Sequence, residues 1–474
     1  MVSMFASSRG RRTCAAVSAA MLFAVAGCVG ATSSAYPSAS PAASPTATPS
    51  LSASSGATPT ATATATPAAT FDVSNVPQAP TGEWKSIRWV QVPAMPAGAL
   101  PSPDPSASPQ DANFKVAGWS RGFVAFSVQV VARTDSDGMW DGGPTVATIS
   151  TTYSRDGVQW HDGTVMQQQM SIDDLEVSGV FEGPSGLLAV GESGACGDSW
   201  IEALWTSGDG VSWQKVDTRK AFGNATIEDV SGGSSGFVAS DSTGHKVWTS
   251  RDGQSWRPVN LGAPVFASSR IDDGTAFSGG FLLAGSTVAV GARSCAVAFA
   301  NPSALPTPAP PMRSPAVWWS SDGGTWTKAE LPGGTSAYRI QMSICRANDH
   351  TLVAFENYDS DQNSGGGVWV SNDGRTWSSP AWPSGLNPSE FLTDGPHGVL
   401  ATDLRDPSGP APAAEPSISM VSDDGGLIPL AQQGDLPPYS SNEQWAVGPT
   451  GILWMAGDPW SGSIQLWIGL PSEG

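Results

Sequence analysis

The sequence is poor in the side chains that most often carry chemistry. Its 474 residues include 4 histidines, 5 tyrosines and 5 cysteines. The histidines are scattered, and neither His-x-x-x-His nor Cys-x-x-Cys occurs, so the ligand spacing typical of a zinc site is missing. A phosphate-binding P-loop is missing as well. We therefore predict no metal ion, no cofactor and no catalytic residues.

Charged residues are also scarce, and basic ones most of all. Only 14% of residues are charged, and 42 acidic residues against 23 basic ones give a net charge of −19. Because nucleic acids and anionic lipid surfaces bind basic patches, this balance excludes them as expected partners. Apolar runs long enough to span a bilayer are missing too, because even the stretch from Ala15 to Ala26 is too short.

That short apolar run belongs to an N-terminal export signal. Three arginines within residues 9–12 precede it, and Val25-Ala26-Gly27-Cys28 closes it. The last four residues resemble a bacterial lipobox, in which the cysteine is acylated and becomes the first mature residue. We predict a lipoprotein signal over residues 1–27, lipidation at Cys28, and an exported protein on the outer face of the cytoplasmic membrane of a bacterium. Ordinary secretion with an incidental cysteine is the alternative.

The segment 28–82 has a different composition from the rest of the chain. It is almost entirely Ala, Ser, Thr and Pro, with too few large apolar side chains to offset the entropy of ordering. Its proline content favours a semi-extended chain. We predict a disordered tether, either bare or O-glycosylated, that joins the anchor to a folded body over residues 83–474.

Within this body one motif recurs. Five segments fit S-x-D-G-x-x-W without a mismatch, and a sixth keeps Ser422, Asp424 and Gly425 but has Ile428 in place of Trp. Asp-Gly suits a tight turn, because Gly accepts a positive φ and the carboxylate can accept backbone N–H bonds. The five segments are 154–160, 207–213, 250–256, 320–326 and 371–377.

These motifs resemble the Asp-box, or BNR repeat, of sialidase-like β-propellers. In that family the box lies on the turn between the third and fourth strands of a blade, away from the active face, and its role is structural. The resemblance therefore implies that the box aspartates build turns and are not catalytic acids. They are Asp156, Asp209, Asp252, Asp322, Asp373 and Asp424.

A second element indicates the number of blades. A glycine or its equivalent followed by a short apolar strand occurs seven times, at 122–125, 186–189, 236–239, 280–283, 351–354, 398–401 and 451–454. We predict an all-β fold, a β-propeller of seven four-stranded blades, with six blades as the alternative because the last two boxes are degraded. The last copy has no fourth strand, whereas Ile87–Val92 is a strand without a blade, so we expect the ring to close by strand exchange between the termini.

The predicted blades differ in the length between their second and third strands. Insertions are expected over 127–150, 286–315, 356–367 and 402–417. In a propeller these connections surround one mouth of the channel, opposite the Asp-box turns. We expect a ligand to bind at that face.

The chemistry expected of a sialidase is not evident in the sequence. That family requires an arginine trio, a Tyr-Glu pair and an acid/base Asp. Tyr338-Arg339-Ile340 resembles the arginine motif, but it lacks the following Pro and occupies an ordinary first strand. Two loops, from Asp135 and from Asp359, alternate oxygen ligands as Ca²⁺ loops do, yet lack the distal Glu and fit solvated acidic loops better.

We therefore predict a surface-tethered, non-enzymatic binding or scaffold propeller. Its ligand would be an envelope protein or a glycan on the insertion face, and the body is expected to be a monomer. The alternative is an exported, sialidase-like glycoside hydrolase.

Three cysteines would remain in the folded body after lipidation, so at most one pair can form among them. They are Cys196, Cys295 and Cys345. Because Cys295 and Cys345 fall in neighbouring repeats and the compartment is oxidising, we predict that these two are paired.

Overall fold

A computed structural model describes most of the chain beyond residue 83, and all described residues lie in one compact unit. The structure describes residues 84–92, 112–131, 145–170, 175–195, 198–288, 312–334, 337, 340–346, 352–357, 367–380, 392–393, 400–403, 417–421, 427–434, 436–437, 444–456 and 465–472.

The described strands form seven sheets, which we number in chain order. Sheets 1 to 4 each contain four consecutive antiparallel strands. Sheet 1 comprises β2 Ala112–Trp119, β3 Gly122–Val131, β4 Thr145–Ser154 and β5 His161–Met170; sheet 2 comprises β6 Glu176–Gly183, β7 Gly186–Ala195, β8 Asp198–Ser207 and β9 Gln214–Lys215. Sheet 3 comprises β10 Ile227–Gly233, β11 Gly236–Asp241, β12 Val247–Ser250 and β13 Trp256–Pro258; sheet 4 comprises β14 Ser269–Phe277, β15 Gly280–Val288, β16 Arg313–Ser320 and β17 Thr327–Ala329.

Sheet 6 follows the same plan, and sheets 5 and 7 depart from it slightly. Sheet 5 has three described strands, extended by an isolated bridge between Val370 and Ser378, and sheet 7 has five. Sheet 5 comprises β18 Gln341–Arg346, β19 Leu352–Asn357 and β20 Val368–Ser371; sheet 6 comprises β21 Leu392–Thr393, β22 Leu400–Asp403, β23 Ser417–Val421 and β24 Leu427–Pro429. Sheet 7 comprises β25 Ala431–Gly434, β1 Ser86–Val92, β28 Gln465–Ser472, β27 Gly451–Ala456 and β26 Gln444–Gly448.

Glycine sets the turn between the first and second strands. Gly186 and Gly236 have φ of 125° and 142°, where an L side chain is strained. A Cβ at Gly186 would lie 2.1 Å from the carbonyl oxygen of Ser207. The predicted Gly-strand motifs therefore open strands because the turn has no room for a side chain.

The predicted insertions are shorter than expected. Pairing continues through Ser127 with Ser150 and through Ser286 with Pro315, so these residues belong to strands and not to loops. The two hairpins extend to Val131 and to Val288 before leaving the described residues. The same correction applies at 356–357, 402–403 and 417, which lie in β19, β22 and β23.

Sheet 7 joins the two ends of the described chain. β1 pairs antiparallel with β28 over seven residues, from Ser86 with Ser472 to Val92 with Leu466. Its other edge pairs in parallel with β25, a strand that the repeat pattern did not predict. Trp89 is buried there, and its Nε1 donates to Oε1 of Gln432 at 3.0 Å.

Apolar cores fill the spaces between neighbouring sheets. Trp205 and Phe126 share the core between sheets 1 and 2, and further cores join sheets 2 and 3, 3 and 4, and 4 and 5. On the other side, sheets 6 and 7 share a core around Trp467, and sheets 7 and 1 share one around Phe123. The protein is thus nearly all-β, with a propeller-like succession of antiparallel sheets packed face to face.

Helical structure is confined to two short segments among the described residues. The helix α1 covers Thr218–Phe222, with Asp217 as its N-cap, and a 3₁₀ turn covers Pro264–Phe266. No helix in the described part of the chain is both long and apolar enough to cross a bilayer.

Candidate functional site

The five S-x-D-G-x-x-W segments share one hydrogen-bonding pattern, and we call them the repeat turns. In the first, Oδ1 of Asp156 accepts the N–H groups of Val158 and Gln159, both at 2.8 Å. Oγ of Ser154 accepts the Gly157 N–H at 2.8 Å, and Nε1 of Trp160 donates to the Gly157 carbonyl at 3.2 Å. The Ser, Asp and Trp side chains that the motif specifies therefore each form hydrogen bonds with the backbone of their own turn.

These bonds also set the ionisation of the carboxylates. At Asp209, burial opposes ionisation, but the N–H groups of Ser212 and Val211 outweigh it and lower the pKa. At Asp322, bonds from the Thr325 and Gly324 N–H groups are the main cause of a lowered pKa. Burial is likewise outweighed by backbone bonds, and the pKa lowered, at Asp252 and Asp373. A general acid needs the opposite shift.

Each repeat turn also packs against the sheet before it. A Cβ at Gly253 would lie 2.8 Å from Thr206 of sheet 2, and one at Gly374 would lie 2.9 Å from Trp319 of sheet 4. Beside the latter contact the Arg375 guanidinium stacks 3.6 Å from the centre of the Trp319 ring. The sixth turn, with Asp424, lies outside the described residues.

Strand direction places the repeat turns and the predicted insertions at opposite ends of the sheets. A repeat turn joins the third strand to the fourth, at the end where the first strand meets the second. Connections from second to third strands, and from one sheet to the next, lie at the other end, which we call the insertion end. The predicted Ca²⁺-type loops and Tyr338-Arg339 lie outside the described residues.

The first strands of sheets 2, 3 and 4 carry an irregularity at the same place. Their pairing with the second strand shifts by one residue at Ser178, Glu228 and Asp272, five residues before the last pair of each hairpin. Such a bulge re-aims the side chains around it. In sheets 3 and 4 the bulge falls on an acidic doublet, Glu228-Asp229 and Asp272-Asp273.

The doublet of sheet 4 binds the next sheet. Oδ2 of Asp272 accepts the Met342 N–H at 3.2 Å, and Oδ2 of Asp273 accepts the Ile344 N–H at 3.0 Å. Both donors belong to β18, the first strand of sheet 5. Among the described strands β18 pairs only with β19, so no strand lies along its other edge. The carboxylates thus satisfy N–H groups that would otherwise be unpaired.

A comparable bridge joins sheet 7 to sheet 1. Oε1 of Gln444 accepts the Val116 N–H at 3.0 Å, and its amide nitrogen donates to the Phe114 carbonyl. Between sheets 3 and 4, the Ser231 hydroxyl donates to the Gly274 carbonyl. Polar side chains on the first strands are therefore used to join one sheet to the next.

An arginine pair flanks the acidic doublet at the insertion end. Nε of Arg270 lies 3.1 Å from Oδ1 of Asp272, whose side chain is only 3% exposed. Arg313 donates from Nε to the Ser286 hydroxyl at 2.7 Å and from Nη2 to the Ser286 carbonyl at 2.8 Å. Burial and the nearby Arg270 lower the pKa of Arg313, and Asp272 opposes that shift.

The remaining carboxylates of the first strands are engaged as well. Glu182 accepts the Ser120 N–H at 2.9 Å and its hydroxyl, and Glu176, Glu228 and Asp229 have partners within the protein. Within the part of the chain that the structure describes, no three His, Cys, Asp or Glu side chains are placed to hold a metal ion. A depression of about 540 Å³ lies beside the fifth repeat turn, and the acidic residue that lines it is Asp373 of that turn.

The acidic doublets of the first strands were not predicted as functional or structural residues. A sequence signal could have identified them: two adjacent acidic residues recur at the same distance before the glycine that opens the second strand. The predicted disulfide stays a prediction, because Cys295 lies outside the described residues and only the backbone of Cys345 is described. The backbone of Cys345 pairs with that of Val353 near the end of β18.

Comparisons with known proteins gave structural similarities only. No protein-family model and no curated protein matches the sequence. A virginiamycin B lyase from Staphylococcus aureus is 12% identical, with 73% of this chain and 99% of that chain covered and a TM-score of 0.36. An α-L-arabinofuranosidase from Fusarium graminearum is 10% identical, with 82% and 98% covered and a TM-score of 0.30. A glycosyl hydrolase from Bacteroides ovatus is 13% identical, with 57% and 83% covered and a TM-score of 0.24.

Proposed function

We propose that this protein is an exported, lipid-anchored β-propeller that binds a protein or glycan of the cell envelope without transforming it. The observation that carries this proposal is the use of the first-strand carboxylates. Asp272, Asp273 and Glu182 all accept backbone N–H groups, and the other acids of these strands have partners within the protein. Carboxylates held in this way support a scaffold better than an acid–base pair, which must reach a substrate.

The propeller in this proposal has seven blades in a closed ring. Support comes from the neighbouring contacts of sheets 1 to 5 and of sheets 6, 7 and 1. Between sheets 7 and 1, a Cβ on Gly118 would lie 1.9 Å from the Val447 carbonyl oxygen, so the two backbones are in direct contact. The pairing of β1 with β28 supports closure by strand exchange, which removes an open sheet edge.

The Asp-box aspartates are scaffold in this proposal. The bonding of the repeat turns supports that role, because each carboxylate satisfies two N–H groups of its own turn. The turns also press their glycines against the preceding sheet, as Gly157 does against Ile468 of sheet 7. A turn used in this way positions blades and leaves ligand binding to the insertion end.

Localisation follows from the N-terminal sequence. We propose that Cys28 is acylated, that residues 29–82 form a tether, and that the body stands at the outer face of the cytoplasmic membrane. The partner is then an envelope protein or glycan within reach of the tether. The acidic charge makes nucleic acid an unsuitable partner.

The proposal is tested by altering the insertion end alone. Replacing residues 290–311 by a short Gly-Ser linker leaves β15 and β16 intact, because these strands end at Val288 and begin at Arg313. The intact chain is expected to retain envelope material that the variant loses. A variant with the same number of tether residues replaced serves as the control and should bind normally.

A panel of fluorogenic glycosides separates this function from the hydrolase alternative. We expect no turnover by the intact chain. Turnover that disappears when Glu192, a buried residue near the insertion end of β7, is changed to Gln would establish a glycoside hydrolase and overturn the proposal.

A further inference from the structure

The fourth strand of sheet 1 is much longer than the fourth strands of sheets 2, 3, 4 and 6. β5 has ten residues, whereas β9 has two and β13, β17 and β24 have three each. It is the terminal strand of its sheet among the described strands. A long terminal strand presents alternate N–H and C=O groups to whatever lies beside it.

The neighbouring sheet bonds to the edge of β5 near the beginning of the strand. The Thr164 N–H and hydroxyl both donate to the Val211 carbonyl, at 3.0 and 2.8 Å. Beyond this point the strand continues for six residues to Met170. The second repeat turn therefore bonds this edge at Thr164, and β5 continues as the terminal strand of its sheet beyond that point.

This part of the strand is held firmly in place. Met166 is buried in the core between sheets 1 and 2, and Gln168 is 4% exposed on the same side of the strand. On the opposite side Gln167 is exposed, and Val165 is 62% exposed, the most accessible large apolar side chain among the described residues. The edge is thus rigid and already extended before any partner arrives.

The usual protections of a strand edge are missing here. Native edges carry Lys, Pro or inward-pointing charges that prevent pairing with another chain. Residues 163–170, Gly-Thr-Val-Met-Gln-Gln-Gln-Met, contain none of these. In a protein with a net charge of −19, this uncharged edge is where two copies can approach without local repulsion.

The sequence of the edge suits a second copy of itself. Residues 166–170 read Met-Gln-Gln-Gln-Met in both directions. Antiparallel pairing about a twofold axis at Gln168 places position 166 of one copy opposite position 170 of the other, and 167 opposite 169. A twofold interface requires this self-complementarity, because each patch meets its own copy.

We propose that β5 is a homodimer interface, at which two copies pair edge to edge and join their first sheets into one continuous sheet. This departs from the monomer expected from the sequence. Pairing over about six residues buries less than the ~1,600 Å² of a standard interface, so the dimer is weak and concentration-dependent.

The experiment measures the oligomeric state of the full chain by sedimentation velocity from roughly 1 to 100 µM. The wild-type protein is expected to shift from monomer to dimer. Changing Gln167→Lys together with Gln169→Lys places lysine opposite lysine at two symmetric positions, and should raise the dissociation constant about tenfold or more. The matched control, Gln159→Lys with Gln214→Lys, adds the same charge at exposed sites away from the edge and should dimerise normally.

Hydrogen exchange locates the interface. Amides of residues 165–170 should become more protected as the concentration rises, while thermal melts confirm that all variants are folded. A chain that stays monomeric throughout overturns the proposal, as does a dimer that survives Gln167→Lys with Gln169→Lys. Protection of this edge only after another protein is added would also overturn it, in favour of an extended segment of that partner.

Discussion

Trp89→Ala tests whether the N-terminal strand is an integral part of the fold. Trp89 lies in the middle of β1, is 1% exposed, and packs edge to face on Trp454 with ring centres 5.9 Å apart. Its indole N–H also donates to Gln432 of β25. One side chain therefore contacts both halves of sheet 7 that β1 separates.

The expected loss can be worked out from these contacts. Truncating a buried tryptophan to alanine typically costs about 3–5 kcal/mol. The lost indole bond to Gln432 leaves its amide with one partner fewer and adds about 1 kcal/mol. A total of about 4–6 kcal/mol is a large part of the 5–15 kcal/mol that stabilises an ordinary domain.

Urea unfolding of the full chain, followed by tryptophan fluorescence and circular dichroism, measures this loss as a fall in the midpoint. Arg88→Ala on the same strand is the control, since Arg88 is exposed and its loss should change stability by less than about 0.5 kcal/mol. If Trp89→Ala unfolds within about 1 kcal/mol of the wild type, β1 is not part of the cooperative structure. That result would refute the closed ring.

Further predictions concern the turns, the first strands and the anchor. Asp252→Ala should cost about 1–3 kcal/mol, because two N–H groups lose their acceptor, whereas Asp162→Ala at an exposed site should be nearly neutral in the same unfolding assay. The repeat-turn carboxylates of lowered pKa stabilise the fold fully above their unfolded pKa of about 3.9, and stability should fall as the pH drops through the lower folded values, as acid titration of the melting temperature would show. Asp272→Ala should destabilise more than Arg270→Ala, since the aspartate is buried while the arginine is 58% exposed and its ion pair is worth at most about 1 kcal/mol. Cys28→Ser should release the protein from the membrane fraction into the medium, which immunoblotting would detect.

The elements that repeat in the sequence were the ones it predicted well. The Asp-Gly turns and the glycines such as Gly186 depend on interactions within a few residues, so their chemistry is visible in the sequence itself. The orphan strand at Ile87 was recognisable because the last repeat lacked a strand. Its pairing with β28 needed only that count of strands.

Other features depend on contacts between distant parts of the chain. The hydrogen bond from the Ile344 N–H to Asp273 joins residues 71 positions apart, so no local sequence pattern predicts it. β25 pairs with β1 although Ala431–Gly434 has no strand-like run of apolar residues. Hairpins such as Ser127 with Ser150 extend further than predicted, because backbone pairing continues beyond the apolar run through polar residues, of which Ser127 is buried.

The position of β1 in sheet 7 has a consequence for the order of events during synthesis. Sheets 1 to 6 are each made of neighbouring segments, and can form as those segments appear. Sheet 7 cannot, since Ser86 must wait for Ser472, 386 residues later. Until then the core around Trp84, Ile87 and Trp89 lacks Trp467, and β1 lacks its antiparallel partner. A chain truncated before residue 465 therefore holds its apolar β1 segment through the short parallel pairing with β25 alone, and we expect it to be more accessible to proteases that select unfolded termini.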